Sequence, residues 1–113
     1  MIYNLGIISQ FHNEASYLAE WVAYHRLIGV DHFWLYDDGS TDHWRSVLDR
    51  HLDEGVVEVL PLPEQHAPGV PTALKQPGTF RDGLRRAQGR TRWVALIDAD
   101  EFLLPRTEAT VTD

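Results

Sequence analysis

The chain has no cysteine, one methionine and a single lysine, Lys75. Without cysteine, disulfides, thiolate zinc sites and thiol nucleophiles are excluded, and the redox compartment cannot be read from thiol usage. The shortage of cationic residues leaves a formal net charge of −7 over 113 residues. That balance argues against a nucleic-acid backbone or an anionic membrane surface as the main partner, since both select basic stripes. No apolar run approaches the roughly 20 residues of a membrane span. Nor does the amino end have a basic stretch followed by a long apolar core, so a soluble, cytoplasmic chain is expected. The histidines show no His-x-x-x-His or His-Glu-x-x-His spacing, which argues against zinc. Walker-type and Gly-x-Gly-x-x-Gly loops are also missing, which weakens ATPase and dinucleotide readings.

What is present suffices for one core: 43% hydrophobic residues, with four Trp, four Tyr and four Phe. The length fits a single domain over residues 1–113. Tyr3 to Phe11 reads as a strand with a buried middle at Leu5, Ile7 and Ile8. His12, Asn13 and Glu14 follow, with Asn13 suited to cap a helix and Glu14 to sit in its first turn. From Ala15 to Ile28 the positions Tyr17, Trp21, Tyr24 and Ile28 recur at helical spacing, and Gly29 stands where a helix ends. His25, beside that stripe, reads as a packed histidine rather than a ligand.

His32 to Tyr36 is a second strand, emptying into Asp37-Asp38-Gly39-Ser40-Thr41-Asp42, where Ser40 or Thr41 can cap a helix running to about Glu54. Gly55 ends that helix, and Val56 to Leu60 is a third strand. Pro61 to Gly78 carries five of the six prolines and no periodicity, so an irregular loop is expected. A third helix from about Thr79 to Gln88 leads into the run Trp93 to Ile97. The order β-α-β-α-β-loop-α-β predicts an α/β fold with a mostly parallel sheet and flanking helices. In such a sheet the carboxyl ends of the strands share one edge, which here collects His12, Asn13, Glu14, Asp37, Asp38, Asp98 and Asp100.

The last strand carries the sharpest signal. Its apolar run reads as a buried parallel strand that empties into Asp98-Ala99-Asp100-Glu101. On an extended backbone Asp98 and Asp100 project to the same side and Glu101 turns away. Two carboxylates so placed suit a hard cation, Mn²⁺ or Mg²⁺, with positions left open for a diphosphate; the bland alternative is a solvated strand end. Asp37 and Asp38 admit two readings: acceptors for a base or ribose hydroxyl, or an Asp-Gly turn. For Asn13 and Glu14, helix capping is the simpler role. Arg81, Arg85, Arg86, Arg90 and Arg92 could clamp phosphate, but a charge run on a helix is ordinarily a solvated face.

Together these residues resemble a glycosyltransferase of the GT-A fold. Asp37 to Asp42 resembles the nucleotide-binding turn of family 2 enzymes, and Asp98-Ala99-Asp100 their Asp-x-Asp motif. The likeness is closer to the family 92 group, through Asn13-Glu14, Tyr17-Leu18, Glu20-Trp21, Tyr24-His25, Gly29-Val30, Trp93 and Asp98 to Phe102. Two positions depart from that group: His12 stands where lysine is frequent and Asp38 where asparagine is. The resemblance implies the donor-binding half of an inverting, metal-dependent enzyme. It would transfer a sugar from a nucleotide-sugar, expected to be UDP-linked, to a hydroxyl acceptor. Asn13, Glu14, Asp37, Asp38 and Asp98 would then contact the donor, Asp38 at the uridine, and Asp98 with Asp100 would hold Mn²⁺ or Mg²⁺. The general base would lie beyond Asp113, making the chain a part of a longer enzyme. The rival readings are a non-catalytic nucleotide-sugar-binding module and, from another class, a Mg²⁺-binding phospho-receiver domain.

Overall fold

The structure, a computed structural model, describes residues 2–104. Its elements are β1 (Tyr3–Phe11), α1 (Ala15–Leu27), β2 (His32–Asp37), α2 (Trp44–Asp53), β3 (Val57–Pro61), a short 3₁₀ turn (Thr72–Lys75), α3 (Gln76–Ala87) and β4 (Thr91–Leu96). The four strands form one parallel sheet in the order β3-β2-β1-β4. The expected α/β architecture is therefore present.

β1 lies at the centre because its sequence is apolar on both faces. Leu5 through Phe11 are all buried, and alternate side chains enter two separate cores. Leu5, Ile7 and Phe11 pack with Leu18, Trp21 and Val22 of α1 and Leu48 of α2. Ile8 faces the other way, with Trp34 and Tyr36 of β2 and Ala87 of α3. α1 and α2 end as their glycines predict. In each, the glycine at positive φ (Gly29, 114°; Gly55, 74°) lets its own amide and the next fold back onto the last turn, satisfying carbonyls that helix geometry leaves open.

Three boundaries differ from the sequence reading. α2 begins at Trp44 rather than beside Ser40 or Thr41; the Ser40 hydroxyl and the Thr41 amide are instead taken by Asn13. α3 begins at Gln76 rather than Thr79, with Pro77 in its first turn, where the missing N–H costs no hydrogen bond. The irregular stretch is correspondingly shorter and closes with the 3₁₀ turn. β4 is also not the buried strand its composition suggested. It lies at the sheet's edge, where Trp93 is 63% and Leu96 41% exposed. An apolar run reports burial only when both neighbours and both faces are filled, and here α3 covers part of one face.

The arginines bear out the solvated-face reading. Arg81 and Arg85 are 69% and 72% exposed, Arg86 pairs with Asp82 one helical turn away, and Arg90 reaches Glu58 on β3.

α3 approaches β1 through Gly83. A Cβ there would lie 2.5 Å from Ile8 Cγ2 and 2.8 Å from Cδ1 of the same fully buried side chain. Gly83→Ala is expected to destabilise the fold by about 1–3 kcal/mol through overpacking. It would do so although alanine ordinarily gains about 1 kcal/mol over glycine inside a helix. Urea unfolding measures this, and an unchanged or raised midpoint would contradict the close approach.

Candidate functional site

The first three strands step in one direction across the sheet while β4 lies on the other side of β1, so the chain reverses order between β1 and β4. Crevices at the carboxyl ends of strands flanking such a reversal are the usual ligand sites of open α/β sheets. A cleft of about 180 Å³ opens there. Gln10 lines it from the end of β1 and Glu14 from the N-cap of α1, Asp98, Ala99 and Asp100 from beyond the end of β4, and Thr72, Ala73 and Gln76 from the 3₁₀ turn and the start of α3.

The acidic segment is not extended. The last ladder contact on this side is Ile97 N–H to the Ile8 carbonyl, 3.3 Å. Beyond it the main chain needs other partners. The Glu101 amide donates to the Asp98 carbonyl at 3.0 Å, and the Asp98 amide donates to Glu101 Oε1 at 2.8 Å. Residues 98–101 thus form a turn, and Glu101 folds back on it instead of turning away. Asp98 and Asp100 still reach the same cleft, because the turn rests on buried Ala99.

α1 fixes that turn from below. Trp21 Nε1 donates to the Glu101 carbonyl (2.7 Å) and the Tyr24 hydroxyl to the Leu103 carbonyl (2.6 Å). The Leu103 amide donates to His25 Nε2 (3.1 Å), so the proton of His25 resides on Nδ1 and is donated to the Trp21 carbonyl (2.8 Å). Burial pushes the His25 pKa down, keeping the ring in this neutral form. The packed-histidine reading holds.

Glu14 reaches the same cleft from α1. Its Oε2 is buried with no hydrogen-bond partner. Burial raises its pKa, and the nearby charges of Asp100 and Asp98 add to the rise against the opposing effect of the Tyr17 hydroxyl. Tyr17 in turn is pushed up to about 12, by burial and by the Glu14 charge. Glu14 occupies the N-cap position of α1 but makes no side-chain cap, so it is neither a capping partner nor a first-turn acid.

Asn13 does not cap α1 either. With φ at 53°, it turns its Oδ1 to accept the amides of Thr41 (2.7 Å) and Asp42 (3.2 Å), while its own amide donates to Ser40 Oγ (2.9 Å). The service is returned by Asp42, whose Oδ2 accepts the Ala15 amide at the start of α1 (2.9 Å). Asp37 Oδ1 accepts the Ser40 amide (2.9 Å), the turn geometry offered as one of its two readings. His12 Nδ1 donates to the Asp38 carbonyl at 2.6 Å.

Asp38 is occupied by partners that the sequence reading missed. Lys75 Nζ lies 2.8 and 3.0 Å from its two oxygens, and Thr72 Oγ1 donates to Oδ2 at 2.7 Å. Burial alone would raise the Asp38 pKa, but the bonds from Lys75 and Thr72 and the Lys75 charge bring it below the ordinary value. Gln10 and Gln76 were also missed. Gln10 donates to the Thr72 carbonyl (2.5 Å) and accepts from Thr79 Oγ1 (2.7 Å), and Gln76 Nε2 donates to Asp98 Oδ1. One signal was available: Pro77 suits the first helical turn, which would have brought Lys75 and Gln76 to a helix start facing the strand ends.

The structure therefore divides the candidates. Glu14, Asp98 and Asp100 share the cleft, Asp38 stands beside it in an ion pair, and Asn13 and Asp37 build the neighbouring turn. Among the described residues no group of three or more His, Asp and Glu side chains is placed to hold a metal ion.

Sheet order and cleft define a Rossmann-like α/β domain with an acidic crevice at its switch point. Residues 7–113 match glycosyltransferase family 92, and the chain belongs to that family. It is 32% identical over 100 residues to a glycosyltransferase family 92 protein of Ricinus communis, covering 88% of this chain and 17% of the relative. A family 92 protein of Oryza sativa subsp. japonica is 30% identical over 106 residues, covering 89% and 16%. One from Arabidopsis thaliana is 28% identical over 105 residues, covering 88% and 16%. The chain spans about a sixth of the length of these relatives. The phospho-receiver reading is set aside on sheet order as well as family, since β1 lies between β2 and β4 rather than between β2 and β3. Among the described residues no helix is long and apolar enough to cross a membrane.

Because the folded-state pKa of Glu14 is raised above 4.5, its contribution to stability is complete below that value and is lost as pH rises through the raised one. Glu14→Gln is therefore expected to raise Tm at pH 7.5 by a few degrees, with the gain vanishing as pH falls to about 4.5. Calorimetric melts in EDTA check this, and a Tm lowered at pH 7.5 would show that the carboxylate is stabilised where it lies.

Proposed function

We propose that this chain is the donor-binding part of a metal-dependent glycosyltransferase of the GT-A type, transferring a sugar from a nucleotide-sugar, UDP-linked, to a hydroxyl acceptor. The observation that carries the reading is the convergence of Asp98, Asp100 and Glu14 on one open cleft at the switch point of a family 92 domain. Asp98 and Asp100 supply two carboxylates from one turn. Mg²⁺-type ions are commonly held by one or two carboxylates together with substrate phosphates, so the lack of a third protein ligand fits an ion shared with a diphosphate. When bound, such an ion would neutralise charge growing on the departing diphosphate. Gln76 orients Asp98 through its amide. Asp38 meets the cleft-lining Thr72 on the β2 side, where the nucleoside would lie, and Asn13 and Asp37 keep the 37–42 turn in shape.

Calorimetric titration of the protein with UDP, with and without Mn²⁺, tests the assignment. Binding is expected to require Mn²⁺ and to weaken at least about tenfold in Asp100→Ala. No UDP binding in any condition, or metal-independent binding that Asp100→Ala leaves intact, would defeat it. Release of UDP from UDP-sugars then separates an enzyme from a binding module.

A further inference from the structure

Residues 72–79 run across the carboxyl ends of three strands, tied to each by a side chain. Lys75 and Thr72 meet Asp38 at the end of β2, Gln10 of β1 takes the Thr72 carbonyl and the Thr79 hydroxyl, and Gln76 meets Asp98 after β4. The same segment forms one wall of the cleft through Thr72, Ala73 and Gln76.

The tie at β2 differs in kind from the others. It is an ion pair withdrawn from water, with the Lys75 and Asp38 side chains 13% and 12% exposed. A buried ion pair adds little when intact but is costly to break from one side, because the surviving charge is left uncompensated. It therefore holds geometry more firmly than it adds net stability. Lys75 is also the only lysine of a chain with net charge −7, and it is spent on this contact rather than displayed at the surface.

We infer that Lys75 is a positioning residue for the donor site: by pairing with Asp38 it anchors the 72–76 turn over the strand ends, so that Gln76 meets Asp98 and the cleft wall stands in place before a ligand arrives. This role rests on the donor-site reading above. It acts through preorganisation, since a wall already in place does not have to be ordered at the moment of binding.

The test combines UDP titration in the presence of Mn²⁺ with backbone hydrogen exchange on the ligand-free protein, for wild type, Lys75→Met and Lys75→Arg. Lys75→Met is expected to weaken UDP binding about tenfold and to accelerate exchange over residues 72–79. Lys75→Arg, which keeps the charge and the carboxylate contact, is expected to restore both. Slow exchange over Leu5–Phe11 checks that the sheet is intact in each variant, and Lys75→Arg keeps the test decisive should Lys75→Met fail to fold. Faster exchange with unchanged affinity would overturn the positioning role, and so would unchanged exchange, or Lys75→Arg binding as weakly as Lys75→Met. Absence of UDP binding in the wild type would defeat the donor-site reading itself and this role with it, an outcome distinct from loss confined to the variants.

Discussion

An acidic turn at the end of an exposed edge strand has little reason to keep its shape, and here three side chains of α1 keep it. Trp21, Tyr24 and His25 are spaced one helical turn apart or less, so they share a face, and all three bond the main chain at residues 101–103. Phe102 closes the contact by stacking on His25 at 5.6 Å and meeting Tyr24 edge-on at 5.1 Å. The position of Asp98 and Asp100 is thus inherited from the core through a helix that follows the first strand, not from the strand that delivers them.

That arrangement also sorts the carboxylates along the sheet edge. Those after β2 work within the fold: Asp37 closes a turn, Asp38 takes a lysine, and Asp42 starts a helix. Those at the cleft are held by their surroundings yet left facing an opening. For Glu14 the result is an ionised form made unfavourable by burial and by neighbours of its own sign. The same acids at the cleft make an unaccompanied anion unfavourable beside Glu14 and the Asp98–Asp100 turn.

Much of this was legible in the sequence because it is written in periodicity. The continuous apolar run of β1, the helical stripe of α1 and the acids after the first, second and last strands gave the element order and the edge where the cleft lies. What periodicity does not encode is which polar group answers which. Asn13 and Asp42 each have the chemistry of a helix cap, and their exchange of partners across two loops depends on the distance between those loops in space. The extended geometry expected for Asp98 and Asp100 failed for a related reason: once the ladder with β1 ends at Ile97, a turn satisfies the main chain better than continued extension. Prolines between 61 and 78 read as punctuation, and that hid the one proline that opens a helix. With it went Lys75 and Gln76, whose roles are set by contacts with residues 37 and 22 positions away.

The exchange between Asn13 and Asp42 also bears on how the edge comes apart. Each loop holds the acceptor that the other's backbone requires, so releasing one strands amides in both. The loops after β1 and after β2 therefore form a single opening unit in the native ensemble, and a fluctuation that exposes Ala15 also exposes Thr41. Glu14, at the end of the first of these loops, lines the cleft, so an opening of the unit reaches the cleft as a single event.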